Sequence, residues 1–303
     1  MKWALVLSGG GVKGLAYIGM LKAFNHLGFP KPDCIVGCSM GAIIGGLYAS
    51  GMKINEMENF FSDDFHLSDY TEMPRIAMSH KKIAKLFQLG TSINNLISGL
   101  GIDSGEKALT LFRRLSCYQR FEQCSIPFFC NAVDICSGKE EIFEEGFLAD
   151  GMRASSSYPG FFAPFCHKGK LFADGCVKNN TPVWIAKQKG FNNILAVTLG
   201  TFKKKQPKDI YSSISVIMRC MEVASGMPQH DKRNIPTCIL DMDTNISTYD
   251  FSSPQQEILR GYTQTIENNN MLSLFFKCGF TGIIERKKLS IKTSEMFKNE
   301  RVF

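Results

Sequence analysis

An apolar run that breaks into three consecutive glycines and then into helix-spaced residues opens this chain, and a second strand-and-helix unit follows directly. Trp3–Leu7 is continuously apolar, as a strand buried in a parallel sheet would be, and Gly9-Gly10-Gly11 closes it. Leu15, Ile18, Leu21 and Leu27 then recur at helical spacing, and Gly28, Pro30 and Pro32 end that stretch. Cys34-Ile35-Val36 is a second short strand, and Ala42–Ala49 reads as a buried helix ending near Gly51. Strand, helix, strand and helix in this order imply a right-handed parallel crossover, and so an α/β sheet.

Further strands are expected at Phe128–Val133, Leu171–Ala173, Ile194–Leu199 and Thr237–Leu240. Residues 54–125 carry few strand signals and look helical and irregular, where an α/β enzyme would place a cap or lid. The run Lys203-Lys204-Lys205-Gln206-Pro207-Lys208 is the sharpest change in composition and reads as a charged surface loop. No internal repeat or low-complexity tract is present. The simplest division is one domain: residues 1–202 with a helical cap at about 54–125, then 203–303 as its C-terminal part with a basic tail.

The 303 residues, 44% apolar and 21% charged, suit an ordinary globular protein. The formal charge of +7 would suit anionic lipid or nucleic acid, but charge alone favours a surface that merely stays soluble. Met1–Ser8 is too short for a signal-peptide core, and no segment approaches the roughly 18 apolar residues of a membrane span. The expectation is a cytoplasmic protein whose contact with a membrane is at most peripheral. The eleven cysteines are odd in number and include no Cys-x-x-Cys pair. Cys34, Cys130, Cys220 and Cys238 sit in apolar runs, so the cysteines are expected to be reduced thiols packed as small hydrophobes.

Ser8-Gly9-Gly10-Gly11-Val12-Lys13-Gly14 lies between a strand and a helix, where glycines let several N–H groups face a ligand together. Three uses compete. The spacing Gly9-x-Gly11-x-x-Gly14 matches a dinucleotide fingerprint, but the acidic residue that motif needs would have to be Asp33, which precedes its strand. A phosphate-binding loop would need Gly-Lys-Ser/Thr, which is missing. The third use is an oxyanion hole for a tetrahedral acyl intermediate.

Gly37-Cys38-Ser39-Met40-Gly41 favours the third. It matches Gly-x-Ser-x-Gly between a strand and a helix, the turn that holds a serine hydroxyl outward above a helix N-terminus. A triad would need a histidine, yet His66, His80, His167 and His230 stand in no recognisable catalytic turn. His230 lies in a polar loop, and His167, beside Lys168-Gly169-Lys170, reads as part of a hairpin turn. A dyad without histidine is the stronger candidate.

Over residues 3–200 the sequence resembles the patatin-like phospholipase family. Gly9-Gly10-Gly11-Val12-Lys13-Gly14 is similar to that family's oxyanion element, and Gly37-Cys38-Ser39-Met40-Gly41 to its nucleophile elbow. Ala154-Ser155-Ser156 with Pro159-Gly160 and Pro164 resembles the approach to its second catalytic residue. Phe172-Ala173-Asp174-Gly175, followed by Asn180-Thr181-Pro182-Val183, resembles its Asp-Gly turn, with Cys176 where the family usually has glycine or alanine.

The resemblance implies a three-layer αβα sandwich with a mostly parallel central sheet and a helical insertion as cap. It implies Ser39 as nucleophile and Asp174 as the group that takes its proton. Gly9, Gly10, Gly11, Lys13 and Met40 would form the oxyanion hole, and Gly14, Gly37, Gly41 and Gly175 would be the motif glycines. Lys13 is as readily an exposed helix lysine. The implied substrates are acyl esters of lipids, with no cofactor, no metal and no nucleic acid. Phe60, Phe61, Leu86, Phe87, Leu96, Ile97 and Leu100 are candidates to line an acyl groove, though half or more would be ordinary core. Basic clusters at Lys203–Lys205 and Arg286-Lys287-Lys288 are candidates for anionic headgroups, and more simply a solvated face. Asp150-Gly151 lacks the following Asn-x-Pro and reads as a helix cap before Met152. An acyltransferase of related fold and a non-enzymatic nucleotide-binding protein remain as alternatives.

Overall fold

The structure is a computed structural model and describes residues 1–65, 69–71, 101, 103–200, 206–207, 210, 216, 219–220, 223, 235–242 and 253–299. The chain opens with β1 (Ala4–Leu7), a 3-10 turn over Gly11–Leu15, and α1 (Ala16–His26). β2 (Cys34–Gly37) leads into α2 (Met40–Ala49), followed by α3 (Ile54–Asn59) and a π-helical turn over Phe60–Asp64. After α4 (Glu106–Leu115) come β3 (Phe128–Asp134), β4 (Lys139–Phe143) and α5 (Leu148–Ser155). β5 (Phe165–His167) and β6 (Lys170–Asp174) form a hairpin, then α6 (Val183–Gln188), β7 (Ile194–Thr198) and β8 (Cys238–Asp241) follow. α7 (Pro254–Glu267), α8 (Asn269–Phe276) and α9 (Gly279–Asn299) complete the described chain.

The strands form one mixed sheet in the order β5-β6-β3-β2-β1-β7-β8, with β4 also paired to β3. The run from β3 through β2, β1 and β7 to β8 is parallel, while β4, β6 and β5 add antiparallel pairings at one end. Both faces of the sheet are covered, as strands apolar at every position require. Leu5 and Leu7 of β1 join the larger core, which α1 and α2 cover, while Ala4 and Val6 face the smaller one beneath Val183, Ile185 and Ala186 of α6. These are the three layers expected of an αβα fold.

One register determines where the site lies. Cys130 of β3 pairs with Gly37 of β2 and also with Phe143 of β4, so β2 and β4 occupy opposite edges of β3. β4 continues along its edge to Asp134, which leaves β6 to pair on the edge that β2 has vacated. There Asp174 pairs with Ala132, two residues past the last β2 contact. The end of β6 therefore arrives beside the turn that leaves β2.

Three sequence expectations change. Asp150 is not a helix cap: it lies inside α5, where its carboxylate meets Arg113 at 3.5 Å and His167 at 3.9 Å. Cys220 is exposed, whereas Cys34, Cys130 and Cys238 are buried as expected. The antiparallel β4 was not foreseen, because its sequence Lys-Glu-Glu-Ile-Phe carries the charges of a strand with one solvated face. His66, His80, His230, the Lys203–Lys205 cluster and the groove candidates Leu86, Phe87, Leu96, Ile97 and Leu100 lie outside the described residues. Among the described residues no helix is long and apolar enough to cross a membrane.

Candidate active site

Ser39 stands at the N-cap of α2 with φ 53° and ψ −122°, a strained backbone for a residue with a side chain. What enforces it is the closeness of the flanking segments. A Cβ on Gly37 would lie 2.4 Å from the Gly41 carbonyl oxygen, and one on Gly41 would lie 2.4 Å from that of Leu7. The turn fits under β1 only with glycine at both places. The Ser39 N–H is tied down by Ser155 Oγ at 3.0 Å, so α5 braces the elbow from below. Gly14 packs against Met40, and Gly175 against Asn131.

Asp174 is completely buried. Its Oδ1 accepts the Cys176 N–H at 2.9 Å and lies 3.6 Å from Cys38 Sγ, while Oδ2 has no hydrogen-bond partner. Burial raises its pKa above the ordinary carboxylate range, opposed by the Cys176 N–H and by the side chains of Ser39, Cys176 and Cys38. The influence of Ser39 places its hydroxyl in the carboxyl's immediate surroundings, though it makes no hydrogen bond to Oδ2. Ser39 and Asp174 are thus neighbours, with one carboxylate oxygen open.

The glycine turn lies across from them. Gly9, Gly10 and Gly11 line a cavity of about 200 Å³ together with Ser39, Met40, Cys176 and Asn180. Gly9 cannot serve as a donor to it, because its N–H is used by the Asn180 carbonyl at 3.2 Å. The N–H groups of Gly10, Gly11 and Met40 have no acceptor among the described residues. Lys13 is also corrected: it does not line the cavity, and its charge acts on the buried Glu257 of α7. Of the described histidines, His26 meets Tyr262 and His167 meets Asp150, and neither lines the cavity.

The remaining cavity wall is apolar and largely aromatic. Phe61, Phe65, Tyr70, Phe112, Phe161 and Phe162 contribute to it, with Leu111 and Leu115 of α4. Phe61 was anticipated; Phe60 packs into the core and does not line the cavity. Sequence reasoning gave no role to Ser155, Asn180 or Cys38, all of which touch the elbow, the glycine turn or the carboxylate. Each sits inside one of the sequence motifs, so position was legible and contact was not. The cavity is therefore apolar over most of its wall and polar only where Ser39, the glycine turn and Asn180 meet it.

The sequence matches the model of the patatin-like phospholipase family over residues 5–187. The chain belongs to this family. Lysophospholipase NTE1 of Lodderomyces elongisporus is 28% identical over 212 residues, covering 70% of this chain and 13% of that protein. The Candida albicans lysophospholipase NTE1 is 27% identical over 234 residues, 77% of this chain and 15% of its own length. The chain thus spans only a small part of these relatives. Among solved structures, VipD from Legionella pneumophila superposes with a TM-score of 0.45 at 16% identity, over 98% of this chain and 75% of VipD. ExoU from Pseudomonas aeruginosa, in its complex with SpcU, gives 0.43 at 16% identity over 92% of this chain and 53% of ExoU.

Proposed function

We propose that this patatin-like chain is a serine acyl hydrolase of lipids, a phospholipase A, lysophospholipase or lipid esterase, in which Ser39 is the nucleophile and Asp174 its base. The observation that carries the reading is the open Oδ2 of a buried carboxylate beside a strained serine that lines an apolar cavity. The relatives named lysophospholipase support the same substrate class.

In this reading the Ser39 hydroxyl attacks the ester carbonyl as its proton passes to Asp174 Oδ2. The oxyanion takes hydrogen bonds from the N–H groups of Gly10, Gly11 and Met40, at the positive end of α2. The carbonyl re-forms, the C–O bond to the leaving alcohol breaks, and that alcohol takes the proton from Asp174. Water then attacks the acyl-enzyme, gives its proton to Asp174, and the proton returns to Ser39 as the acid departs. An ordinary aspartate, with a pKa near 3.9, is a weak base for a hydroxyl. Removing Asp174 from water is what makes it a better one.

The C-terminal part, 203–303, belongs in this proposal to the same domain, because α7 packs on α1 and its Glu257 faces Lys13 of the glycine turn.

The test is hydrolysis of a panel of phospholipids, lysophospholipids and glycerides, with fluorophosphonate labelling in parallel. Ser39→Ala should lose both hydrolysis and labelling, and Asp174→Asn should lose at least about a thousandfold in kcat. Labelling that persists in Ser39→Ala would remove Ser39 as nucleophile. An acyl group delivered mainly to an added alcohol rather than to water would make the protein a transacylase.

A further inference from the structure

The two oxygens of Asp174 are held unequally, and the cause lies beside the nucleophile. Oδ1 takes the Cys176 N–H at 2.9 Å and is approached by Cys38 Sγ at 3.6 Å, within reach of a thiol donor. Oδ2 is left with no partner. The last side-chain torsion of an aspartate is broad, so one amide two residues away fixes an oxygen without fixing the plane of the carboxylate. A second donor arriving from another segment removes that freedom.

Cys38 is that donor. It is completely buried, and it immediately precedes Ser39, so the strained turn that aims the hydroxyl also delivers the thiol. The groups facing Asp174 and Cys38 are Ser39 from the elbow, Cys176 from the turn after β6, Tyr17 of α1 and Glu140 of β4. None of these is cationic. The carboxylate is oriented by weak neutral donors and not by an ion pair, which would hold it ionised too firmly to accept a proton.

We propose that Cys38 is a positioning residue for the base: its thiol holds Asp174 Oδ1 and so keeps Oδ2 turned toward Ser39. This rests on the Ser39–Asp174 reading given above. A thiol suits the task because it donates weakly. A hydroxyl in its place would hold the carboxylate more strongly, and an alanine would leave it to the Cys176 and Ser39 groups alone.

The experiment uses the full chain and a p-nitrophenyl acyl ester, with kcat and KM measured across pH for wild type, Cys38→Ala, Cys38→Ser and Asp174→Asn. Cys38→Ala should lower kcat by about tenfold, corresponding to ~1.4 kcal/mol, with KM unchanged. Its acid limb should move to higher pH, because a donor that stabilised the carboxylate is gone. Cys38→Ser should recover kcat to within about threefold of wild type, with the acid limb at or below the wild-type position. A Cys38→Ala enzyme with wild-type kcat and acid limb overturns the proposal. So does a serine variant no better than alanine, or one in which only KM rises, since either outcome reduces Cys38 to packing. Should Cys38→Ala fail to fold, Cys38→Ser decides alone: a limb moved down supports the proposal and an upward shift overturns it. If Asp174→Asn keeps its kcat, the dyad itself fails. If Asp174→Asn is inactive while Cys38→Ala equals wild type, only the role of Cys38 falls.

Discussion

Gly9 and Asn180 hold each other through two hydrogen bonds: the Gly9 N–H donates to the Asn180 carbonyl, and Asn180 Nδ2 donates to the Gly9 carbonyl, both at 3.2 Å. The first motif is thereby latched to the segment just beyond the last, and the glycine turn is held at a set height above Ser39. Asn180→Ala keeps the backbone bond and loses the other. It should lower stability by about 0.5–1.5 kcal/mol, the usual worth of one hydrogen bond. On the proposed mechanism kcat should fall by about tenfold, because the Gly10 and Gly11 N–H groups would be held less firmly. Steady-state kinetics beside a urea titration would check this, and a variant with lower stability but wild-type kcat would confine Asn180 to the scaffold.

Asp174 carries a cost that a stability measurement reveals. Burial raises its folded-state pKa, so folding favours the protonated acid. That contribution is fully present below the unfolded aspartate value near 3.9 and is lost as pH rises through the raised folded value. At neutral pH the buried carboxylate therefore destabilises the fold. Asp174→Asn should raise Tm at neutral pH by a few degrees, on the order of 2–4 °C per kcal/mol relieved in a chain of this size. The gain should shrink toward zero at acid pH. Thermal melts of both proteins from acid to neutral pH measure it, and a lower Tm for the variant at neutral pH would mean that the charge is compensated. With Asp174 as the proposed base, hydrolysis by the wild type should fall as pH drops through the same raised pKa, since that base must be ionised.

The parallel strands were legible because each carries a continuous apolar run: the reading of Cys34–Val36 as a strand meets the observed Cys34–Gly37, and that of Ile194–Leu199 meets Ile194–Thr198. Gly37 and Gly41 were legible because a tight turn allows little else. β5 was missed because three residues, Phe-Cys-His, carry no period. Gly9 was misread for a different reason. Its sequence context is that of a donor to ligand, and only the return of the chain at Asn180 uses up its N–H. The aromatic cavity wall was legible only in part, because Phe60 and Phe61 are adjacent, equally apolar and buried, and only one lines the space.

Arg153 supports the far wall. It is 2% exposed and places its guanidinium among four acceptors: the Gly105 carbonyl at 3.2 Å, the Ser104 carbonyl at 2.8 Å, the Ala163 carbonyl at 2.9 Å and Ser157 Oγ at 2.6 Å. Its centre lies 5.0 Å from the ring of Phe162, a residue of the cavity. Burial pulls its pKa down to about 10, with Asp103 and Glu106 acting the other way, so it is charged at neutral pH. Arg153→Ala would leave buried carbonyls unpaired, at about 1–3 kcal/mol for each that water cannot reach. Arg153→Lys keeps the charge but loses the planar fork, and should recover only part of that. Chemical denaturation resolves the two, and a lysine variant as stable as wild type would show that charge alone suffices.

Helix α7 crosses α1 with almost no space between the backbones. A Cβ on Gly19 would lie 1.8 Å from the Ile258 carbonyl oxygen, and one on Gly261 would lie 1.9 Å from that of Ala16. Neither clash is with a flexible side chain, so the helices themselves must separate to admit a methyl group. α1 follows the glycine turn directly, and Glu257 of α7 acts on Lys13 within that turn. Gly19→Ala should therefore destabilise the protein by about 1–3 kcal/mol or more, in spite of alanine's better helix propensity. On the proposed mechanism activity should fall beyond what the unfolded fraction explains, because displacing α1 would shift the Gly10 and Gly11 N–H groups that precede it. Gly28→Ala, where an added Cβ meets nothing within 4 Å but φ is +68°, supplies the comparison: a strained turn without a disturbed crossing. Circular-dichroism melts and kcat for both variants separate the two effects. Equal loss of kcat in Gly28→Ala would cut the link between this crossing and the site.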